Sequence, residues 1–93
     1  MSQMSEKKAG ILLVVAEEFR KHRLPRLEAI KKEVDKGNLM SDLDIEFLEK
    51  VLHDAQRTFP STVDSPDLHA FCTHVIHLYN EISKKALQNE ESS

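Results

Sequence analysis

Histidines and carboxylates are the first residues in this chain that could do chemistry. His69, His74 and His77 fall in one helical stretch with Cys72. His74, His77 and Glu81 follow an i, i+3, i+7 spacing, which lines them up in one stripe of a helix. Imidazole and carboxylate at such spacing are ligands that zinc and similar ions accept. The direction of the stripe argues the other way. With Val75 set at the centre of the apolar face, the three side chains fall roughly 100–160° around the helix from it. A metal site in a bundle needs its ligands pointing inward. The expectation is therefore no metal and no cofactor, with a metal-binding or metal-sensing role for His74, His77 and Glu81 as the alternative. His22 shares a face with Val15 and Phe19 at a helix end, where a boundary packing role is expected.

Other constellations fall short of a known chemistry. Glu33–Asp44 lies between two helical stretches like a calcium loop, with Glu33, Asp35, Ser41 and Asp44 at ligand positions. Gly37 then takes a position that needs a side-chain oxygen, and Asn38 takes the one that needs glycine. The histidines of phosphotransfer domains are followed by Lys and Gly, but Val–Ile–His and Leu–Tyr–Asn follow His74 and His77. Cys72 sits on an apolar stripe, where burial raises a thiol's pKa and blunts it as a nucleophile. There is no Gly-rich phosphate loop, no Gly-x-Ser-x-Gly and no His-Glu-x-x-His. A non-enzymatic protein is expected.

Arg20, Lys21, Arg23 and Arg26, with His22 among them, form a basic cluster that could meet phosphate. The cluster itself contains no aromatic ring for bases to stack on, and the chain as a whole carries a net charge of −3. Nucleic acid is the second alternative rather than the expectation. Residues 20–36 hold seven Lys/Arg against three acids, and residues 41–67 hold two against seven. Such opposite runs read as the solvated faces of neighbouring helices that attract one another.

Four helical segments must position these groups. The first spans about Ser5 to His22, with Ser5 as its cap and Ile11, Leu12, Val15 and Phe19 on the face toward the bundle. Leu13 and Val14 then point elsewhere. Pro25 either starts a second segment or kinks a continuous one. That second segment runs to Lys36 on Leu27, Ile30 and Val34, and Gly37 stands where a helix-ending glycine belongs. The third is capped by Ser41, with Asp42 and Asp44 in its first turn. Its stripe is Leu43, Phe47, Leu48, Val51, Leu52 and Ala55, and it should stop near Phe59, before Pro60. A polar loop over 60–64 leads to Ser65–Pro66–Asp67, a cap followed by a helix-starting proline. The fourth should reach about Gln88 on Leu68, Phe71, Cys72, Val75, Leu78, Tyr79, Ile82 and Ala86.

The 93 residues allow one domain, 1–93, with frayed tails over 1–4 and 89–93. Two glycines and three prolines are too few for a sandwich of short strands, so the expected fold is all-α, a small antiparallel bundle of three to four helices. With four Phe, one Tyr and no Trp, its core must be aliphatic. The longest apolar run, Ile11 to Ala16, is far short of the roughly 20 residues that span a bilayer. No membrane association is expected. A single cysteine suits a reducing, cytoplasmic setting. The first helix carries more apolar surface than one side of a small bundle can cover. The sequence thus points to a protein-interaction module whose partner is another protein or itself, as a homodimer with Leu13 or Val14 in the interface.

Overall fold

A computed structural model of the chain describes residues 6–92, with side chains from residue 10 onward; the expected cap Ser5 and tail 1–4 lie outside the described residues. The chain is all-α, and no strand occurs among the described residues. Helices α1 (Glu6–Glu18) and α2 (Leu24–Asp35) are joined without a break by a π-helical turn, Phe19–Arg23. They are followed by α3 (Asp42–Thr58), a 3₁₀ turn (Phe59–Thr62) and α4 (Pro66–Ser92).

Pro25 explains the π turn. A proline has no N–H for the carbonyl four residues back, and its ring crowds that carbonyl. The chain resolves both problems by widening the preceding turn, so that the Leu24 N–H donates to the Phe19 carbonyl, five residues earlier. The result is one rod of about 45 Å at 1.5 Å per residue, which matches the elongated shape, 52 × 22 × 18 Å.

The α2–α3 corner follows from Gly37. Its φ of 97° is left-handed, which a residue without Cβ adopts freely. The Asn38 N–H donates to the Glu33 carbonyl (3.2 Å) and the Gly37 N–H to Val34 (2.9 Å), the paired bonds of a Schellman ending. Ser41 then caps α3, its hydroxyl accepting from the Asp44 N–H at 3.1 Å.

α4 is the element on which both α2 and α3 pack, and α1 leans on its first half. The core joins Leu27, Ile30 and Val34 of α2, Leu48, Val51 and Ala55 of α3, and Val75 and Ile82 of α4. The α2 stripe is buried as its spacing required; in the α4 stripe Leu68, Cys72, Val75, Leu78 and Ile82 are buried, and Phe71, Tyr79 and Ala86 are half-buried against the core.

Four expectations are corrected. Ile11 and Val15 do not face the bundle; they are 55% and 50% exposed, whereas Leu12 and Phe19 turn inward as expected and are joined there by Ala16. Leu43 lies outside the α3 stripe, 71% exposed, because the core direction of α3 is fixed by Leu48, Val51 and Ala55. The segment after Pro60 is not simply a polar loop. It coils into the 3₁₀ turn and buries Thr62, whose hydroxyl donates to the Phe59 carbonyl at 2.7 Å. Finally, residues 89–92 are not frayed: α4 continues to Ser92, and Asn89 is buried. The Asn89 amide nitrogen donates to the carbonyls of Val34 (2.7 Å) and Asn38 (3.1 Å), tying the end of α4 to the α2–α3 corner.

Candidate interaction surface

The basic cluster is the first site the structure resolves, and it is occupied by the protein's own groups. Arg20 pairs with Glu17 at 2.7 Å and lies over the Phe71 ring at 5.4 Å. Arg23 pairs with Asp54 at 2.6 Å and reaches over Phe19 at 5.9 Å. Arg26 pairs with Asp44 at 3.5 Å and lies over Phe47 at 4.1 Å. Each guanidinium therefore has both a carboxylate and an aromatic face, which together favour a fixed position over a mobile one. Two of these pairs cross from the α1–α2 rod to α3, so the opposite charge runs of the sequence meet as helix neighbours. The rings that could have stacked on bases are covered by the arginines. Lys21 remains exposed.

The histidine stripe stays outside the bundle. His74, His77 and Glu81 are exposed on α4, with His77 Nε2 3.5 Å from Glu81 Oε1. Among the described residues, no group of three or more His, Cys, Asp or Glu is placed to hold a metal ion. His22 is exposed rather than packed at a boundary, 3.3 Å from Glu18. His69 has a structural place instead: its ring lies against Phe59, centroids 4.6 Å apart, with Nδ1 3.3 Å from the Thr62 hydroxyl. In the α2–α3 corner, Glu33 accepts from Lys36 (3.1 Å) and Asn38 (2.8 Å), and these bonds hold its carboxyl below the usual range. Of the residues compared with a calcium loop, Glu33 serves the helix ending, Ser41 caps α3, Asp35 pairs with Lys31 and Asp44 with Arg26.

What remains is the surface of α1. Leu13 and Val14 are both exposed, 58% and 63%. They do not share a face, since neighbours on a helix stand about 100° apart. Val14 groups with Ile11 and Val15, and Glu18 continues the same side one turn on. Leu13 stands apart on the side of Glu17. The sequence pattern missed this grouping because it assigned Ile11 and Val15 to the core.

Beside this face runs an open groove of ≈ 660 Å³, between α1, the end of α3 and the start of α4. It exists because α3 ends before it can close over α1, while α4 supports α1 from one side. The floor is apolar: Leu12, Phe19, Leu68, Phe71, Cys72 and Val75. Phe19 and Phe71 meet edge to face there, centroids 5.6 Å apart. Val14, Val15, Glu18 and His22 form the α1 rim, and Asp54, Arg57 and Thr58 the α3 rim. Burial pushes the Cys72 thiol above its usual pKa, which disfavours thiolate chemistry in the groove.

No helix of the described residues is long and apolar enough to cross a membrane. Compared with known proteins, the chain matches no family model, no curated protein and no solved structure.

Proposed function

We propose that this chain is a non-enzymatic protein-interaction module that acts through the exposed side of α1 and associates with itself. The observation that carries the reading is the grouping of Ile11, Val14 and Val15, each half exposed or more, with Val14 and Val15 on the rim of an apolar groove. A fully buried Val, Leu or Ile side chain is worth about 1.5–3 kcal/mol over an exposed one. Three adjacent side chains left half in water are therefore a reserve of association energy. Contiguous apolar surface of this kind marks interaction sites, and a two-fold homodimer is the commonest way to cover it. A protein partner rather than nucleic acid fits a basic cluster in which Arg20, Arg23 and Arg26 are already paired with carboxylates. The lone, unpaired Cys72 fits a cytoplasmic setting.

Sedimentation equilibrium tests the reading. The native chain should be dimeric at high micromolar concentration, and an Ile11→Lys, Val14→Lys double variant should be monomeric with unchanged helical content. A Leu13→Lys variant, altered on the other side of α1, should still dimerise. A native chain that stays monomeric at high micromolar concentration overturns self-association.

A further inference from the structure

We infer that the occupant of the α1 face is α1 of a second copy, laid antiparallel with the two-fold axis level with Leu12 and Leu13. The inference rests on the self-association reading above and adds the direction and register of the pairing. Three features of α1 lead to it.

The first is the spacing of the face. In sequence, residues 7, 11, 14 and 18 are separated by four, three and four, the alternation of a helix–helix seam. The seam residues are Lys7, Ile11, Val14 and Glu18. Ile11 and Val14 are the exposed apolar pair at its middle, and Glu18 stands exposed at its C-terminal end.

The second is charge. The seam is basic at its start and acidic at its end. A parallel pairing sets Lys7 level with Lys7 of the second copy, and Glu18 level with Glu18. An antiparallel pairing about Leu12 and Leu13 sets Lys7 level with the other copy's Glu18, twice by symmetry, and Ile11 level with the other copy's Val14, also twice. Like charges facing one another disfavour the first arrangement, and opposite charges favour the second. The face is thus complementary to itself in one direction only.

The third is Gly10. A glycine inside a helix costs roughly 1 kcal/mol relative to alanine. Nothing in the chain's own fold requires one here, because a Cβ at Gly10 would meet nothing within 4 Å, and its φ is not left-handed. Gly10 precedes Ile11 at the border of the seam. Its bare Cα leaves room for the opposing Val14 to sit close to the α1 backbone. A helix laid there also lies along the open side of the groove, beside Val14, Val15 and Glu18 of the first copy. The apolar floor then faces a helix instead of water.

Charge reversal in the full-length chain tests the register, with sedimentation equilibrium at low salt and helical content followed by circular dichroism. Lys7→Glu alone and Glu18→Lys alone should each weaken dimerisation, by roughly tenfold, since two attractions become two repulsions. The double variant Lys7→Glu, Glu18→Lys should recover native dimerisation, and so should an equimolar mixture of the two single variants. His22→Ala, which removes only the side chain that Glu18 meets within its own helix, should leave dimerisation unchanged. A dimer indifferent to the single reversals, or a double variant no better than the singles, overturns the antiparallel register while self-association stands. A native chain that is monomeric overturns both.

Discussion

The two ends of this bundle are built from similar residues and finished differently. At the corner end, α2, α3 and α4 all meet. Leu27, Val51 and Ile82 reach 0% exposure, and Val34 reaches 1%. The corner is closed by the Gly37 ending and by Asn89 from the far end of α4. At the other end only the last turns of α3 reach the groove, α4 supports α1 from one side, and Ile11 and Val15 stay half in water. The aliphatic composition is much the same in both places. The difference is the number of helices present in cross-section: three can enclose a seam, and two leave one side open. Leu39, Leu43 and Leu87 are exposed near the corner as well, but only where α3 ends do exposed apolar side chains, Val14 and Val15, border an open apolar groove among the described residues.

The largest contrast between the ends is energetic. Leu27→Ala should cost about 2–5 kcal/mol, the loss for a fully enclosed leucine, measured by denaturant unfolding. Val15→Ala, measured in dilute solution where the chain is monomeric, should cost no more than about 0.5 kcal/mol. Equal losses at the two positions would mean that the open end is packed as tightly as the corner.

Asn89 sharpens the comparison next. Its amide bonds to two corner carbonyls, and it is 8% exposed. Asn89→Ala leaves the Val34 and Asn38 carbonyls without that donor and should cost about 1–3 kcal/mol. Hydrogen exchange should quicken first at the end of α2. A loss confined to the last turn of α4 would show that the corner closes by itself.

A smaller effect of opposite sign is expected at the open end. Gly10→Ala should stabilise the dilute monomer by up to about 1 kcal/mol, because the added methyl meets open space and alanine favours the helix. At high concentration the same substitution should weaken dimerisation. Stabilisation of both states would remove Gly10 from the interface.

The smallest effect is on pH. Glu33 is held in its charged form by hydrogen bonds from Lys36 and Asn38, which lowers its pKa. A depressed carboxylate stabilises the fold above its unfolded pKa, and the contribution is lost as pH falls through the folded one. Acidification from about pH 4.3 downward should therefore loosen the corner while leaving α1 unaffected. The Asn38 side-chain amide resonances report the first change and the α1 backbone amides the second. A corner indifferent to pH in that range would mean that Glu33 contributes nothing to the helix ending.

Much of this architecture is determined locally, and those parts were legible residue by residue. Ser41 caps a helix because its short side chain brings the hydroxyl within reach of the Asp44 N–H three residues on, and Gly37 ends one because it lacks a Cβ. Leu48, Val51, Val75 and Ile82 are core because their spacing puts them on one side of helices that have only one side to bury. Each of those signals lies within a turn or two of sequence. The direction in which α1 faces does not. Ile11, Leu12, Val14 and Val15 are apolar almost all the way round, so periodicity cannot choose among them. The choice was made by the position of α4 and by the absence of α3 beside it. The burial of Asn89 was equally out of reach, since its partners are more than fifty residues away and an asparagine near a chain end ordinarily reads as solvated. The pairing of Arg20, Arg23 and Arg26 with rings and acids belongs with these, because Asp44, Asp54, Phe47 and Phe71 come to the arginines only through packing between helices. Short-range chemistry set where helices begin, end and bury their stripes. Which side of an all-apolar helix stays open, and which charges are already satisfied, depended on neighbours that only the tertiary structure supplies.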